Sequence, residues 1–237
     1  MAPEEPPRSA PPLSSVFGGN EARTLNGNEA LFVTVRPIRI TGDPVLHTPA
    51  LPVTRFDDEL QQLLYDMVDT MRAAPGVGLA APQIGVSRQV FVWEWTDDEG
   101  ILQQGAVINP TLDVGPQTTT SADPEADLEG CLSIPDLRFP LVRANRAILR
   151  GTTPQQTPLQ ITAEGWLARI FQHEFDHLQG TLYVDRLPWR EKRRARREIR
   201  GNDWGQPGHS WTPGVDAYEL AEEPEETQSG SDSARGQ

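Results

Sequence analysis

Two histidines spaced by three residues, with a glutamate directly after the first, form the run His173-Glu174-Phe175-Asp176-His177. On a helix, residues four apart share a face, so both imidazoles can reach one cation at about 2.0–2.1 Å from each ring nitrogen. Glu174 then projects beside them, toward a water on that cation. The chemistry of such a set is hydrolysis with a divalent metal and a carboxylate as general base. Two imidazoles do not complete the site, and a third ligand is needed.

The rest of the chain offers three sources for it. An extended zinc-peptidase pattern would continue with glycine and a third histidine; Gly180 fits, but Tyr183 stands where that histidine belongs. A peptidase with a downstream carboxylate would recruit Glu191 or Glu198 from a stretch where arginines compete for it. Cys131 is the favoured candidate. It lies in Glu129-Gly130-Cys131-Leu132-Ser133-Ile134-Pro135, where glycine frees the backbone on one side and Ile-Pro bends it on the other. A thiolate on a divalent metal is deprotonated outright, giving a His2Cys site with one open position. The alternative for Cys131 is a small core thiol. A Cys-His nucleophile hydrolase is disfavoured, because it leaves Glu174 and His177 without roles.

These residues must be positioned by regular elements. Leu60, Leu63, Leu64, Met67, Val68 and Met71 recur at helical spacing behind Asp57, a candidate N-cap, and predict an amphipathic helix over residues 57–73 that ends before Pro75-Gly76. Segments rich in β-branched and aromatic residues at 90–95, 106–109, 146–150 and 159–162 read as strands. Trp166, Leu167, Ile170, Phe171, Phe175 and Leu178 return to helical spacing over 163–179, with Gly180 as the stop. This second helix carries the histidines. A third, charged helix is expected from 189 to 200. The order helix, strands, helix predicts an α+β domain, with small antiparallel strands around a central helix that bears the metal site.

The 237 residues suffice for one domain with a real core, and the 37% hydrophobic content is lean mainly because of the ends. Residues 1–34 are proline-rich and 201–237 are rich in Gly, Ser and acids, so both are expected to stay disordered around a domain over 35–200. No segment approaches the roughly 18 apolar residues of a membrane helix, nor does the N-terminus resemble a signal peptide, so a cytoplasmic location is expected. One cysteine permits no internal disulfide. The net charge of −13 argues against general nucleic-acid binding, yet Arg190, Lys192, Arg193, Arg194, Arg196, Arg197 and Arg200 cluster just before an acidic tail.

Three segments taken together resemble, in order, the signature motifs of peptide deformylases: Gly76-Val77-Gly78-Leu79-Ala80-Ala81-Pro82-Gln83, then Glu129-Gly130-Cys131-Leu132-Ser133, then Gln172 through His177 with Gly180. The resemblance covers residues 35–200, including Ile38-Arg39-Ile40-Thr41-Gly42-Asp43-Pro44-Val45-Leu46, and leaves both tails outside. It implies removal of the N-formyl group from formylmethionyl nascent polypeptides. Cys131, His173 and His177 would hold the metal, and Glu174 would move the proton. The Leu132 backbone N–H and the Gln83 amide would hold the oxyanion.

Gly78 would pair with an extended substrate, and Trp166 with the stem of Arg169 would line the methionine pocket. Glu129 and Arg143 match a pair that braces the cysteine loop, and Arg138 matches a basic position at the mouth of the site. Ferrous iron is the implied metal, although the donors alone do not select it over zinc, nickel or cobalt. The family also acts at the ribosome through a C-terminal helix, where Arg190 to Arg200 stand here; seven cations there would make RNA contact salt-dependent. A metallopeptidase with a third carboxylate remains the runner-up. A binding module that has lost catalysis is disfavoured, because no catalytic position departs from the motifs. His47 and His209 have no assigned role.

Overall fold

The computed structural model describes residues 34–74, 76–117 and 121–216, together with a short antiparallel pairing of Thr24–Leu25 with Glu29–Ala30. Apart from that pairing, the expected N-terminal extension lies outside the described residues, as does 217–237. In chain order the elements are β1 (Ile38–Arg39), α1 (Asp58–Ala73), β2 (Gly78–Ala80), β3 (Val90–Thr96), β4 (Leu102–Val114), β5 (Leu128–Cys131) and β6 (Ile134–Pro140). There follow β7 (Arg146–Thr152), β8 (Pro158–Glu164), α2 (Gly165–Leu178), α3 (Tyr183–Arg186), α4 (Trp189–Gly201) and β9 (Ser210–Trp211).

Asp57 caps α1, its side chain accepting from the Leu60 amide at 3.2 Å, while Asp58 and Glu59 sit at the positive end of the helix. Leu60, Leu64, Met67, Val68 and Met71 form the buried stripe that the spacing predicts. The main sheet is antiparallel in the order β8-β7-β4-β3-β2. Alternation along β3 splits its side chains between two cores. Val90 and Val92 join Leu79, Ile108 and the stripe of α1, whereas Phe91 and Trp93 join Val107, Leu149 and the inner face of α2. Helix α2 is therefore central, as an α+β domain with a helical metal site requires.

Strand β4 extends well beyond the expected 106–109. Its register shifts between Ile108 and Thr111, where Asn109 takes a positive φ of 50° and Pro110 needs no ladder donor. The bulge lets one strand pair with β3 on one side and β7 on the other. Asn109 is held there by two 2.8 Å hydrogen bonds to the Val53 backbone. Hairpin β5–β6 was not expected, because Glu, Gly, Asp, Arg and Pro hide its alternation; buried Ile134 and Phe139 anchor it to the core.

The expected boundary at residue 200 is also corrected. Residues 201–216 fold back onto the domain: Trp204 and Trp211 are buried, and β9 pairs antiparallel with β1. Polar composition conceals this return, since two indoles separated by Gly, Pro and Ser supply the apolar surface that offsets the ordering entropy.

Candidate metal centre

Strand β8 runs straight into α2 through Gly165, whose φ of 57° favours glycine and whose amide donates to the Asn145 carbonyl at 2.9 Å. This fixes the rotation of α2, so His173 and His177 leave it on one face with ring centroids 5.0 Å apart. Cys131 arrives from the opposite side. The register of β5–β6 shifts between Gly130 and Cys131, which re-aims the cysteine. Its Sγ lies 3.3 Å from His177 Nε2.

The ligand atoms of Cys131, His173 and His177 lie within 4.8 Å of one another. Tetrahedral donors on one cation would stand about 3.3–3.8 Å apart, so a small closure of side chains completes the set. Charge supports the fit. Burial alone would lower His173, but the Cys131 sulfur and the Glu129 carboxylate outweigh it and hold the imidazole well above its ordinary range. Burial and the neighbouring His173 push His177 well below. The cluster thus draws one positive charge into a buried place, and a divalent cation can supply it. Glu174 Oε2, buried without a hydrogen-bonding partner among the described residues, leaves an acceptor for a polar ligand.

Glu174 is buried against the backbone of Gly78, where a Cβ would come within 2.8 Å of its carboxyl carbon. Burial pushes its carboxyl up to about 7, against the opposing pull of His173. Gln83 Oε1 accepts from the Ala80 amide at 2.8 Å, which turns Nε2 toward the Cys131 sulfur, 3.7 Å away. Leu132 follows the cysteine in the same wall. A cavity of about 440 Å³ opens above these groups, bordered by Gly78, Trp95, Arg138, Trp166, Arg169 and Ile170.

Glu129 and Arg143 pair at 2.6 and 3.0 Å, both buried, and His173 donates from Nδ1 to Glu129 at 2.7 Å. That bond leaves Nε2 of His173 for a cation. Arg143 continues to Asp176 at 2.7 Å, and Arg186 caps the same carboxylate. Arg169 borders the cavity with its guanidinium carbon 5.2 Å from the centroid of the Trp166 ring, and the same guanidinium is held by Asp127 at 2.7 Å, Glu129 at 3.2 Å and the Leu141 carbonyl at 2.9 Å. Glu129 and Asp176 each have at least two cationic or imidazole donors, so their charges are paired rather than stranded.

Among the described residues the group that could hold a metal ion consists of Cys131, His173 and His177. The downstream carboxylates stay apart on α4, Glu191 lying 3.9 Å from Arg194 and Glu198 3.2 Å from Arg197. Sequence reasoning missed Asp127, Asp176 and Arg186 as braces, Trp95 as a partner of Trp166, and Tyr183 as the ring stacked on His173. Asp176 had a signal, lying inside the histidine run. The others have partners too distant in sequence for any spacing to reveal.

The polypeptide deformylase family model matches residues 35–193. A peptide deformylase 2 of Corynebacterium efficiens is 49% identical over 185 residues, covering 78% of this chain and 96% of that protein. The peptide deformylase of Mycolicibacterium paratuberculosis is 48% identical, covering 77% and 96%. Among solved structures, the Legionella pneumophila peptide deformylase superposes with a TM-score of 0.61 at 38% identity, covering 72% of this chain and 96% of that one. A Met-Ala-Ser-bound peptide deformylase from Acinetobacter baumannii superposes with a TM-score of 0.57 at 30% identity, covering 66% and 100%. A family match across two thirds of the chain, and relatives aligned over nearly their whole length, lead to one conclusion: this chain belongs to the polypeptide deformylase family, hydrolases that remove the N-formyl group from nascent polypeptides.

Proposed function

We propose that this chain deformylates nascent polypeptides with a divalent cation held by Cys131, His173 and His177 and with Glu174 as its proton carrier. The observation that carries this reading is the convergence of the three ligand atoms, from a hairpin and a helix, beside the buried Glu174 carboxylate at the floor of one cavity. A cation there would supply Lewis-acid polarisation of the formyl carbonyl and acidify the attacking water. Glu174 takes the proton from that water and delivers it to the departing amine nitrogen; a carboxyl pushed up to about 7 is suited to both halves of the transfer. Gln83 Nε2 and the Leu132 backbone N–H donate to the oxygen of the tetrahedral carbon. The C–N bond then breaks, giving formate and a free amino terminus.

The substrate backbone lies along Gly78, with the methionine side chain toward Trp166, Ile170 and the stem of Arg169. The Met-Ala-Ser bound by the A. baumannii relative is the kind of peptide that this cavity suits. Ferrous iron is the proposed metal, by family resemblance, and peroxide should then inactivate the iron form. We place the chain in the cytoplasm, at the ribosome, through the cationic residues of α4; changing Arg193, Arg194, Arg196 and Arg197 to Gln should abolish salt-sensitive ribosome pelleting.

The test is anaerobic formate release from formyl-Met-Ala-Ser beside Glu174→Ala and Cys131→Ser. The parent should be active, Glu174→Ala inactive with metal retained, and Cys131→Ser inactive with metal lost. An active Cys131→Ser with its metal in place would overturn the ligand assignment.

A further inference from the structure

The segment after the basic helix, beyond the residues that the family model matches, reaches the cysteine turn directly. Trp211 is buried on β9 and donates from Nε1 to the Leu132 carbonyl at 2.8 Å, across 79 residues of sequence. The peptide group that carries this carbonyl also carries the Ser133 N–H, which donates to Cys131 Sγ at 3.4 Å. Indole, peptide and sulfur form one line of donors and acceptors, in which each bond polarises the next. The far side of the turn is fixed by the same region: the Ser133 carbonyl accepts from Thr41 at 2.9 Å, and the Thr41 carbonyl accepts from Gly205 at 3.0 Å.

We propose that Trp211 is a positioning residue of the deformylase site, its indole N–H orienting the Leu132–Ser133 peptide and thereby both the Leu132 N–H and the hydrogen bond to the Cys131 sulfur. The inference rests on the roles proposed above for Cys131 and Leu132. A peptide in a two-residue turn can rotate about its flanking bonds unless both its ends are held. Without the indole donor the Leu132 carbonyl loses its partner and seeks another, and rotation toward one would carry the Ser133 N–H off the sulfur. A tryptophan that served only packing would act on stability. One that holds this peptide acts on turnover and on the electronic state of the sulfur.

The experiment uses the full chain loaded with Co2+, comparing the parent with Trp211→Phe, Trp204→Phe and Cys131→Ser. In Trp211→Phe, kcat for formate release from formyl-Met-Ala-Ser should fall on the order of tenfold at nearly constant KM, the loss expected for about one hydrogen bond. The sulfur-to-cobalt charge-transfer absorption should shift with it. Trp204→Phe, which disturbs packing of the same segment, should lower Tm while leaving kcat and the absorption at parental values. Should Trp211→Phe fold poorly, benzothienylalanine at 211, which keeps the indole shape without the N–H, should give the same two changes. Parental kcat and absorption in the Trp211 variants, or an equal kcat loss in Trp204→Phe, would overturn the proposal. Retention of cobalt and activity by Cys131→Ser would instead overturn the ligand assignment beneath it, so the two failures are distinguishable.

Discussion

His173 donates from Nδ1 to the buried carboxylate of Glu129 at 2.7 Å, joining a helix to a hairpin strand 44 residues earlier in the chain. The bond fixes which ring nitrogen faces the cluster, and Arg143 and Arg169 hold the carboxylate that makes it. The orientation of one candidate metal ligand is thus set by a buried charged frame of Glu129, Arg143 and Arg169.

Glu129→Ala should therefore weaken metal binding about 10- to 100-fold, measured by competition with a chelator. It should also cost roughly 3–5 kcal/mol of stability in chemical denaturation, because Arg143 would stay buried with only Asp176 opposite it. Unchanged affinity would mean that His173 is oriented without this brace.

The same carboxylate sets a dependence on pH. Burial alone would raise Glu129, but hydrogen bonds and charge from His173 and Arg143 outweigh it and hold the carboxyl far below its ordinary 4.5. A lowered folded-state pKa contributes stability that is complete above the unfolded value and is lost as pH falls toward the folded one. In the metal-free protein the parental advantage over Glu129→Gln should therefore be full above about pH 5 and shrink progressively as pH falls below about 4 toward the folded value. Urea midpoints across that range would measure it; a constant gap between the two proteins would contradict it.

Gly78→Ala places a methyl group within 2.8–2.9 Å of the Glu174 carboxyl and its stem. The carboxylate must shift, so kcat should drop about 100-fold while metal content stays unchanged. A glycine needed only for backbone flexibility would show its effect in Tm instead.

Gln83→Leu removes the proposed donor to the oxyanion and leaves the Ala80 amide without its 2.8 Å partner. Turnover should fall about 100- to 1,000-fold, and thermal unfolding should register roughly 1–3 kcal/mol for the stranded amide. Loss of stability with turnover intact would remove Gln83 from the chemistry.

Much of the site was legible because its signals are local. The helical spacing of His173 and His177, the cap at Asp57 and the stripe from Leu60 to Met71 depend on residues within a few positions of one another. Cys131 was legible only as a candidate, since a core thiol and a ligand look alike until the imidazoles are placed beside it. Hairpin β5–β6 and the bulge at Asn109 were not legible, because paired strands of mixed polarity are stabilised by partners and not by their own alternation.

The sequence by itself determined the helix that carries the imidazoles, the carboxylate proposed as general base and, through three ordered motifs, the family. Tertiary structure alone decided that Asp127, Asp176, Arg169 and Arg186 form the charged frame, and that Trp211 returns to hold the Leu132 carbonyl. The physical reason is range. Periodicity and capping act over a turn or two of backbone, whereas a buried charge or an indole N–H takes whichever partner the packed chain brings within 3 Å.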